Sequence, residues 1–269
     1  MKIKEKTIDD FGEQWTEYPG NEGIYASIET LQDLCGPLFD IKNFQGLKVA
    51  DIGSGSGRIV NMLLDAGATH VVAVEPSKAF EVLLENTRAR KDKITYLKVP
   101  GDEFAELDMD MVVSFGVIHH IHEPDDTMKA IYNSLKSKGK VIIWLYGLEG
   151  NQLYLFFAKP LRMLTKRMPH KVLHYFAKFL DFFLSLYIKA CSHVNLPMHR
   201  YMNNVLAKWT PRIRFVTIYD QLNPAYAKYY KKEEAAALLE RAGFKKVRLY
   251  HRHGYSWTVI AEKDVPANT

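Results

Sequence analysis

Short unbroken apolar runs and stretches with apolar residues every three or four positions alternate along the first half of this chain, and each pattern predicts a different element. Val49, Ala50, Asp51 and Ile52 form one run, which breaks into Gly53, Ser54, Gly55, Ser56 and Gly57 before the helix-compatible Arg58, Ile59, Val60, Asn61, Met62, Leu63 and Leu64. The prediction is a buried strand, a glycine turn and a helix. Val71, Val72, Ala73 and Val74 make a second apolar strand that ends in Glu75. Much later, over 172–190, Leu173, Phe176, Leu180, Phe183 and Tyr187 repeat at helical spacing. His174, Lys178, Asp181, Ser185 and Lys189 share one narrow stripe of that helix. Tyr175, Phe179, Phe182 and Leu186 occupy flanks that an ordinary surface helix makes polar. Such a helix wants cover on most sides. Pro169 and Pro197 bracket it, and a shorter helix over 153–168, with Pro160 in its first turns or at a kink, carries Lys159, Arg162, Lys166 and Arg167.

The glycine turn narrows the chemistry. Glycines at 53, 55 and 57 can take positive φ and carry no Cβ, so the backbone can bend sharply and lie against a ligand. The following helix aims unpaired N–H groups at the turn and favours an anionic group there. Glu75, about twenty residues on and at the end of the next strand, stands where an acid accepts hydrogen bonds from ribose hydroxyls. In the dinucleotide fingerprint a third glycine follows the second by three residues. Here that position is Arg58, and the spacing is G-x-G-x-G with Asp51 two residues ahead.

At these residues the chain resembles the class I S-adenosylmethionine-dependent methyltransferases, whose first motif runs apolar, x, Asp, apolar, G-x-G-x-G. Glu75, Pro76 and Ser77 resemble the ribose-binding loop, and Gly101, Asp102, Glu103 and Phe104 the adenine-contacting segment. The 110–120 stretch resembles the fourth strand with its loop, Lys138 to Ile143 the fifth strand with its turn, and 232–247 the last helix and sixth-strand entry. The resemblance covers 45–148 and 230–263. It implies an α/β fold: a Rossmann-like doubly wound sheet, mostly parallel with an antiparallel last strand, and a helical insertion between the fifth and sixth strands. Three parts follow: a helical cap at 1–44, a core at 45–149 and 226–263, and the insertion at 150–225.

The same resemblance implies S-adenosylmethionine as cofactor, with S-adenosylhomocysteine as product. Gly53, Ser54, Gly55 and Gly57 would approach the methionine portion, Asp51 would order its ammonium through water, and Glu75 with Pro76 would hold the ribose. Asp102 and the Glu103 backbone would read adenine, with Phe115 nearby. Phe11, Trp15, Tyr18 and Tyr25 precede the first strand, where small-molecule members carry a helix that closes over the cofactor. Aromatic faces there would attract a sulfonium. His119 and His120 follow the fourth strand, at the sheet edge where α/β folds bind ligands, and are the catalytic candidates for accepting a proton from the nucleophile. Tyr250, His251, Arg252, His253 and Tyr255 face the same mouth or form a solvated hairpin. No metal site is assigned. Tyr132 and Lys136 match the Y-x-x-x-K spacing of short-chain dehydrogenases but precede the fifth strand, so two exposed helix residues are the reading preferred there.

Length and composition set the bounds. A chain of 269 residues can bury a sizeable core, and two cysteines, Cys35 and Cys191, cannot make a disulfide framework, which fits a reducing compartment. The charged start lacks the apolar core of a signal peptide, so cytoplasm is the expected location. Charge is uneven: between residues 151 and 219 eleven Lys and Arg face one acid, Asp181, a net of +10 that leaves −5 for the rest of a chain totalling +5. The insertion is therefore either a packed cap with solvated cations, or an interfacial element with aromatics in acyl chains and cations near headgroups, or a lid over an apolar substrate. Its cations are interleaved with an apolar wall rather than a polar groove, so nucleic acid is not the favoured partner. Ser114, Phe115, Gly116 and Val117 stand where base and glutamine N-methylating members carry Asn/Asp-Pro-Pro-aromatic. The expectation is a small or lipid-like acceptor, oxygen ahead of nitrogen, with peripheral association to an anionic membrane. The rivals are transfer to RNA or protein through the basic insertion, a nicotinamide oxidoreductase, and a non-catalytic binding module on this fold.

Overall fold

A computed structural model of the protein describes residues 3–21, 23–165, 168, 170–222 and 226–264. The expected basic residues Lys166 and Arg167, and the bracketing Pro169, lie outside them.

Seven strands form one sheet in the order β3-β2-β1-β4-β5-β7-β6. They are β1 (Lys48–Ile52), β2 (His70–Val74), β3 (Ile94–Leu97), β4 (Met109–Phe115), β5 (Leu135–Tyr146), β6 (Lys245–Arg252) and β7 (Ser256–Glu262). The first five pair in parallel, and β7 runs antiparallel to both β5 and β6. Apolar runs read as strands because both faces of this sheet are covered. Successive residues point to opposite faces. Ala50, Val72, Val112 and Val141 meet α5 (Asp125–Ser134) and α10 (Lys232–Arg241) through Met128, Ile131, Leu238 and Leu239. Val49, Val71, Val113 and Ile142 meet α2 (Ile28–Cys35), α3 (Arg58–Asp65) and α4 (Ala79–Thr87) through Leu31, Val60, Leu63 and Leu83. Strand order reverses between β1 and β4, and the loops after these two strands therefore part to leave a crevice.

Helix α1 (Ile3–Glu17) lies across that crevice and packs on α4 at Gly12, where a Cβ would stand 3.0 Å from Ser77 Cβ and Lys78 N. Between β5 and β6 come α6 (Gln152–Thr165), α7 (His170–Cys191), α8 (His199–Asn204) and α9 (Pro211–Leu222). Pro160 sits inside α6, well past its first turn. Leu173 and Ala177 of α7 bury against Phe215, Tyr219 and Leu222 of α9, and Asp181 pairs with Arg214 at 3.1 Å.

The expectation that α7 is covered on most sides is not met. Val172, Tyr175, Phe179, Phe182, Phe183 and Leu186 are each more than half exposed, as are Leu153, Phe156, Phe157, Met163 and Leu164 of α6. The reason is geometric: α9 is one helix and can cover only one face of each neighbour. Among the described residues no helix is long and apolar enough to cross a membrane.

Candidate functional site

The crevice is shaped first by backbone. Gly53 N and Ser54 N both donate to Val74 O at 2.9 Å, which folds the glycine turn back onto the end of β2. Gly53 and Gly55 take φ of 80° and 52°, in the left-handed region that costs other residues about 1–2 kcal/mol. A Cβ on Gly53 would collide with Val117 at 2.5 Å, and one on Gly55 would press Trp15 Nε1 at 3.3 Å. Glu75 is buried, and its two oxygens accept from Gly55 N at 2.8 Å and Ser77 N at 2.9 Å. It braces both loops while sitting at the cavity wall.

Asp51, at the end of β1, is 2% exposed, and its Oδ2 has no hydrogen-bond partner. Burial, with the charge of Glu75 adding, pushes its carboxyl up to about 7, while a hydrogen bond from Ser54 and the charge of Arg58 resist the rise. A buried carboxylate with one oxygen unpartnered is costly, and a cation arriving from outside would offset that cost.

Above the turn the crevice opens into one cavity of about 1540 Å³ that runs from the glycine turn to the insertion. Phe11 and Trp15 of α1, and Tyr25 after it, line it, as do Ser54, Pro76, Asp102 and Phe115. Tyr25 lies over the Arg58 guanidinium at 4.0 Å and meets Trp209 edge-on at 5.7 Å. Asp102 is held by Lys4 Nζ at 2.6 Å, so the start of α1 is tied to the far rim.

Five expected site residues do not reach this wall, and the first of them is Asp51, buried behind the glycine turn at the end of β1. Tyr18 instead joins α1 to the insertion, its hydroxyl 3.1 Å from His174 Nδ1 and its ring against Phe215 and Tyr219. Gly57, at φ 83°, starts α3, and a Cβ there would strike Thr87 and Leu83 of α4 rather than a ligand. Glu103 is exposed on the rim. His119 is fully buried, its ring 3.8 Å from that of Tyr146, and both ring nitrogens lack hydrogen bonds. Burial and the neighbouring His120 hold it neutral, well below the usual imidazole range, so catalytic duty is withdrawn from it.

His120 is placed differently. Its ring lines the cavity beside Phe11, centroids 4.7 Å apart, and Nδ1 lies 2.8 Å from Tyr226 O. A carbonyl can only accept, so Nδ1 carries the proton and Nε2 keeps its lone pair. Burial lowers the imidazole to about 4, offset in part by that same hydrogen bond.

From the hairpin group, Arg252 and Tyr255 reach the cavity while His251 stacks on Trp257 and His253 bonds Asp33. The reading of Tyr132 and Lys136 as two exposed helix residues ahead of the fifth strand is corrected: Tyr132 is half-buried on α5, edge-on to Phe244, and Lys136 lies within β5 and pairs with Asp110 at 2.6 Å, so the two do not form a dehydrogenase pair. Tyr154, Tyr201 and Tyr229 complete the upper wall and were not singled out from sequence. They lie on three separate elements of a chain with fifteen tyrosines, and only folding brings them together.

The fold and sequence have recognisable counterparts. A family model described as a methyltransferase domain matches residues 50–143. The chain is 31% identical over 145 residues to the tRNA U34 carboxymethyltransferase of Photobacterium profundum, covering 51% of this chain and 45% of that protein. To the protein of the same name from Sulfurimonas denitrificans it is 29% identical over 113 residues, 41% and 38% of the two chains. The matches thus span less than half the length of these relatives. Among solved structures, magnesium protoporphyrin IX methyltransferase from Synechocystis PCC 6803 with bound SAM superposes with a TM-score of 0.55 at 14% identity, covering 98% of both chains.

Proposed function

We propose that the chain is a class I S-adenosylmethionine-dependent methyltransferase, as the methyltransferase-domain match over 50–143 supports, and that it methylates a bulky, largely apolar acceptor of the small-molecule or lipid-like kind, on oxygen. The cavity carries this reading. Its volume of about 1540 Å³ exceeds the roughly 300–1,000 Å³ of ordinary ligand pockets, so an acceptor has room beside the cofactor. The cations in its wall are already engaged: Lys4 with Asp102, Arg214 with Asp181, Arg252 with Asp33, and Arg58 with Tyr25. A wall in which Lys4, Arg214 and Arg252 are each paired with a carboxylate suits a neutral aromatic or aliphatic group.

The residues fit the cofactor. The unpartnered Asp51 Oδ2 matches a cationic ammonium, and the glycine turn under Trp15 leaves a cradle that side chains would fill. Asp51, Gly53 and Gly55 would hold the methionine portion, Glu75 the ribose, and Asp102 the adenine once Lys4 yields or shares it. When bound, S-adenosylmethionine supplies a methyl group on a cationic sulfur. The chain's own residues then align the acceptor and keep water out. Phe11, Trp15 and Tyr25 close the crevice, and since the Tyr25 ring is already stacked on Arg58, it is Phe11 and Trp15 that offer aromatic faces favouring a cation by about 0.5–2 kcal/mol. His120 Nε2 accepts the proton released by the acceptor hydroxyl.

Transfer to tRNA is the second reading, favoured by the names of the curated relatives and by the basic insertion. Calorimetry with S-adenosylmethionine, S-adenosylhomocysteine and NAD tests the cofactor: binding of the first two and not the third is expected, and NAD binding overturns the assignment. Transfer of radiolabelled methyl to a lipid extract, compared with bulk tRNA, separates the acceptors. Label in tRNA alone would overturn the apolar reading. Glu75→Ala is expected to weaken cofactor affinity by about 1–3 kcal/mol through lost charge-assisted hydrogen bonds, and to lower the melting temperature because Gly55 and Ser77 lose their acceptor. Unchanged affinity would refute the ribose role.

A further inference from the structure

The exposed faces of α6 and α7 carry chemistry that methyl transfer does not require. On α7, at about 100° per residue, the exposed apolar side chains span about 100° of arc, and Lys178 and Lys189 lie together along one edge of it. On α6 the exposed apolar arc is about 120° wide, and Lys159 again borders it. Phe156 is 73% and Tyr175 72% exposed, at the cost of keeping large apolar surface in water. The single acid between residues 151 and 219 is Asp181, and it is committed to Arg214. Neither face therefore carries an uncommitted negative charge among the described residues.

We propose that the α6–α7 face seats on an anionic phospholipid bilayer, its phenylalanines among the acyl chains and Lys159, Lys178 and Lys189 at the phosphates. An apolar arc edged by lysines is the arrangement that interfacial helices use, since lysine stems lie along apolar surface and reach back to headgroups. The charge sign selects the lipid: each lysine near an anionic surface contributes about a fivefold gain in binding. Phe157, Phe183 and Leu186 belong both to this exposed face and to the cavity wall, so the cavity mouth opens on the surface that meets the bilayer. A second copy of the chain would repel this face through its own lysines.

Flotation with phosphatidylcholine vesicles, and with an equimolar mixture of phosphatidylcholine and phosphatidylglycerol, tests the proposal. Wild type is expected to float with the mixture, weakly with phosphatidylcholine alone, and less at high salt. The double substitution Phe156→Glu, Phe179→Glu should lose binding at least about tenfold. The triple substitution Lys159→Glu, Lys178→Glu, Lys189→Glu should lose about a hundredfold on the anionic vesicles only. All five residues are exposed and absent from the cavity wall, so both variants should keep the wild-type melting temperature and cofactor affinity. Three results would overturn the proposal: no flotation of wild type with either vesicle, a stable dimer that the phenylalanine variant dissociates, or tRNA retention without vesicle binding. Flotation by a protein that binds no S-adenosylmethionine would leave this surface standing and sink the transferase reading instead.

Discussion

Replacing Asp51 with asparagine is expected to raise the melting temperature of the ligand-free protein by about 4–8 °C at pH 8, from about 2 kcal/mol of added stability, and to weaken S-adenosylmethionine binding about 10- to 100-fold. Both effects have one source. Asp51 Oδ2 is buried without a partner, and its carboxyl titrates near 7 in the folded protein against an ordinary value of 3.8. Between those two values the folded state holds a proton that the unfolded chain has released. Stability therefore falls as pH rises from about 4 to about 7 and stays reduced above that. The full linkage corresponds to about 4 kcal/mol, of which asparagine recovers a part because its amide still needs partners. At pH 4 the substitution should change the melting temperature little. Scanning calorimetry at pH 4 and pH 8 checks the sign: an equal gain at both values would show that Asp51 is not the group responsible. Titration calorimetry in buffers of different ionisation enthalpy adds a second reading, because a cation seated beside Asp51 expels its proton, and binding at pH 6 should release close to one.

The parts of this molecule readable in the sequence are those set by neighbours along the chain. Val71 to Val74 and Val49 to Ile52 are unbroken apolar runs because both sheet faces are buried, and a residue in such a strand needs no distant information to be recognised. The glycine turn was legible for the same reason, since positive φ at Gly53 and Gly55 leaves one residue type without strain. Gly57 looked identical in sequence, yet its missing Cβ makes room for Leu83 and Thr87 of α4, a helix whose docking no local pattern states. Tyr18 and Trp15 lie three residues apart on one stretch, but α1 turns Trp15 to the cavity and Tyr18 to Phe215. His119 and His120 differ by a single step of a short helical turn, which sends one ring into the core and the other to the cavity. The tyrosines of the upper wall come from α6, α8 and the segment before α10, and their meeting is a property of the insertion's fold. The exposed arc of α7 is the reverse case. Its aromatic flanks were plain in sequence, and what was unreadable was that none of the described residues covers them.

His120→Ala is expected to lower kcat by about 10²- to 10⁴-fold while leaving S-adenosylmethionine affinity within about twofold, the signature of a lost proton acceptor rather than a lost binding contact. The tautomer makes this specific: Nδ1–H donates to Tyr226 O, which leaves Nε2 as the basic atom at the cavity. Burial lowers this imidazole to about 4, so it stays neutral and able to accept throughout the physiological range. The acid limb of kcat/KM should accordingly lie near pH 4 instead of near 6.5, and a limb at 6.5 would mean that an unburied group accepts the proton. The same depression has a stability consequence of opposite sign to that of Asp51. The unfolded chain takes up a proton near 6.5 and folded His120 near 4, so stability is whole above about 6.5 and falls by about 3 kcal/mol as pH drops to 4. Buried His119 adds to this slope. In wild type the two slopes oppose each other across pH 4 to 6.5 and flatten the stability profile. Asp51→Asn should unmask the histidine slope, and Asp51→Asn combined with His120→Ala should flatten it again in part. Thermal melts across that range decide the matter, since a flat profile in the single asparagine variant would require that neither histidine is held neutral by burial.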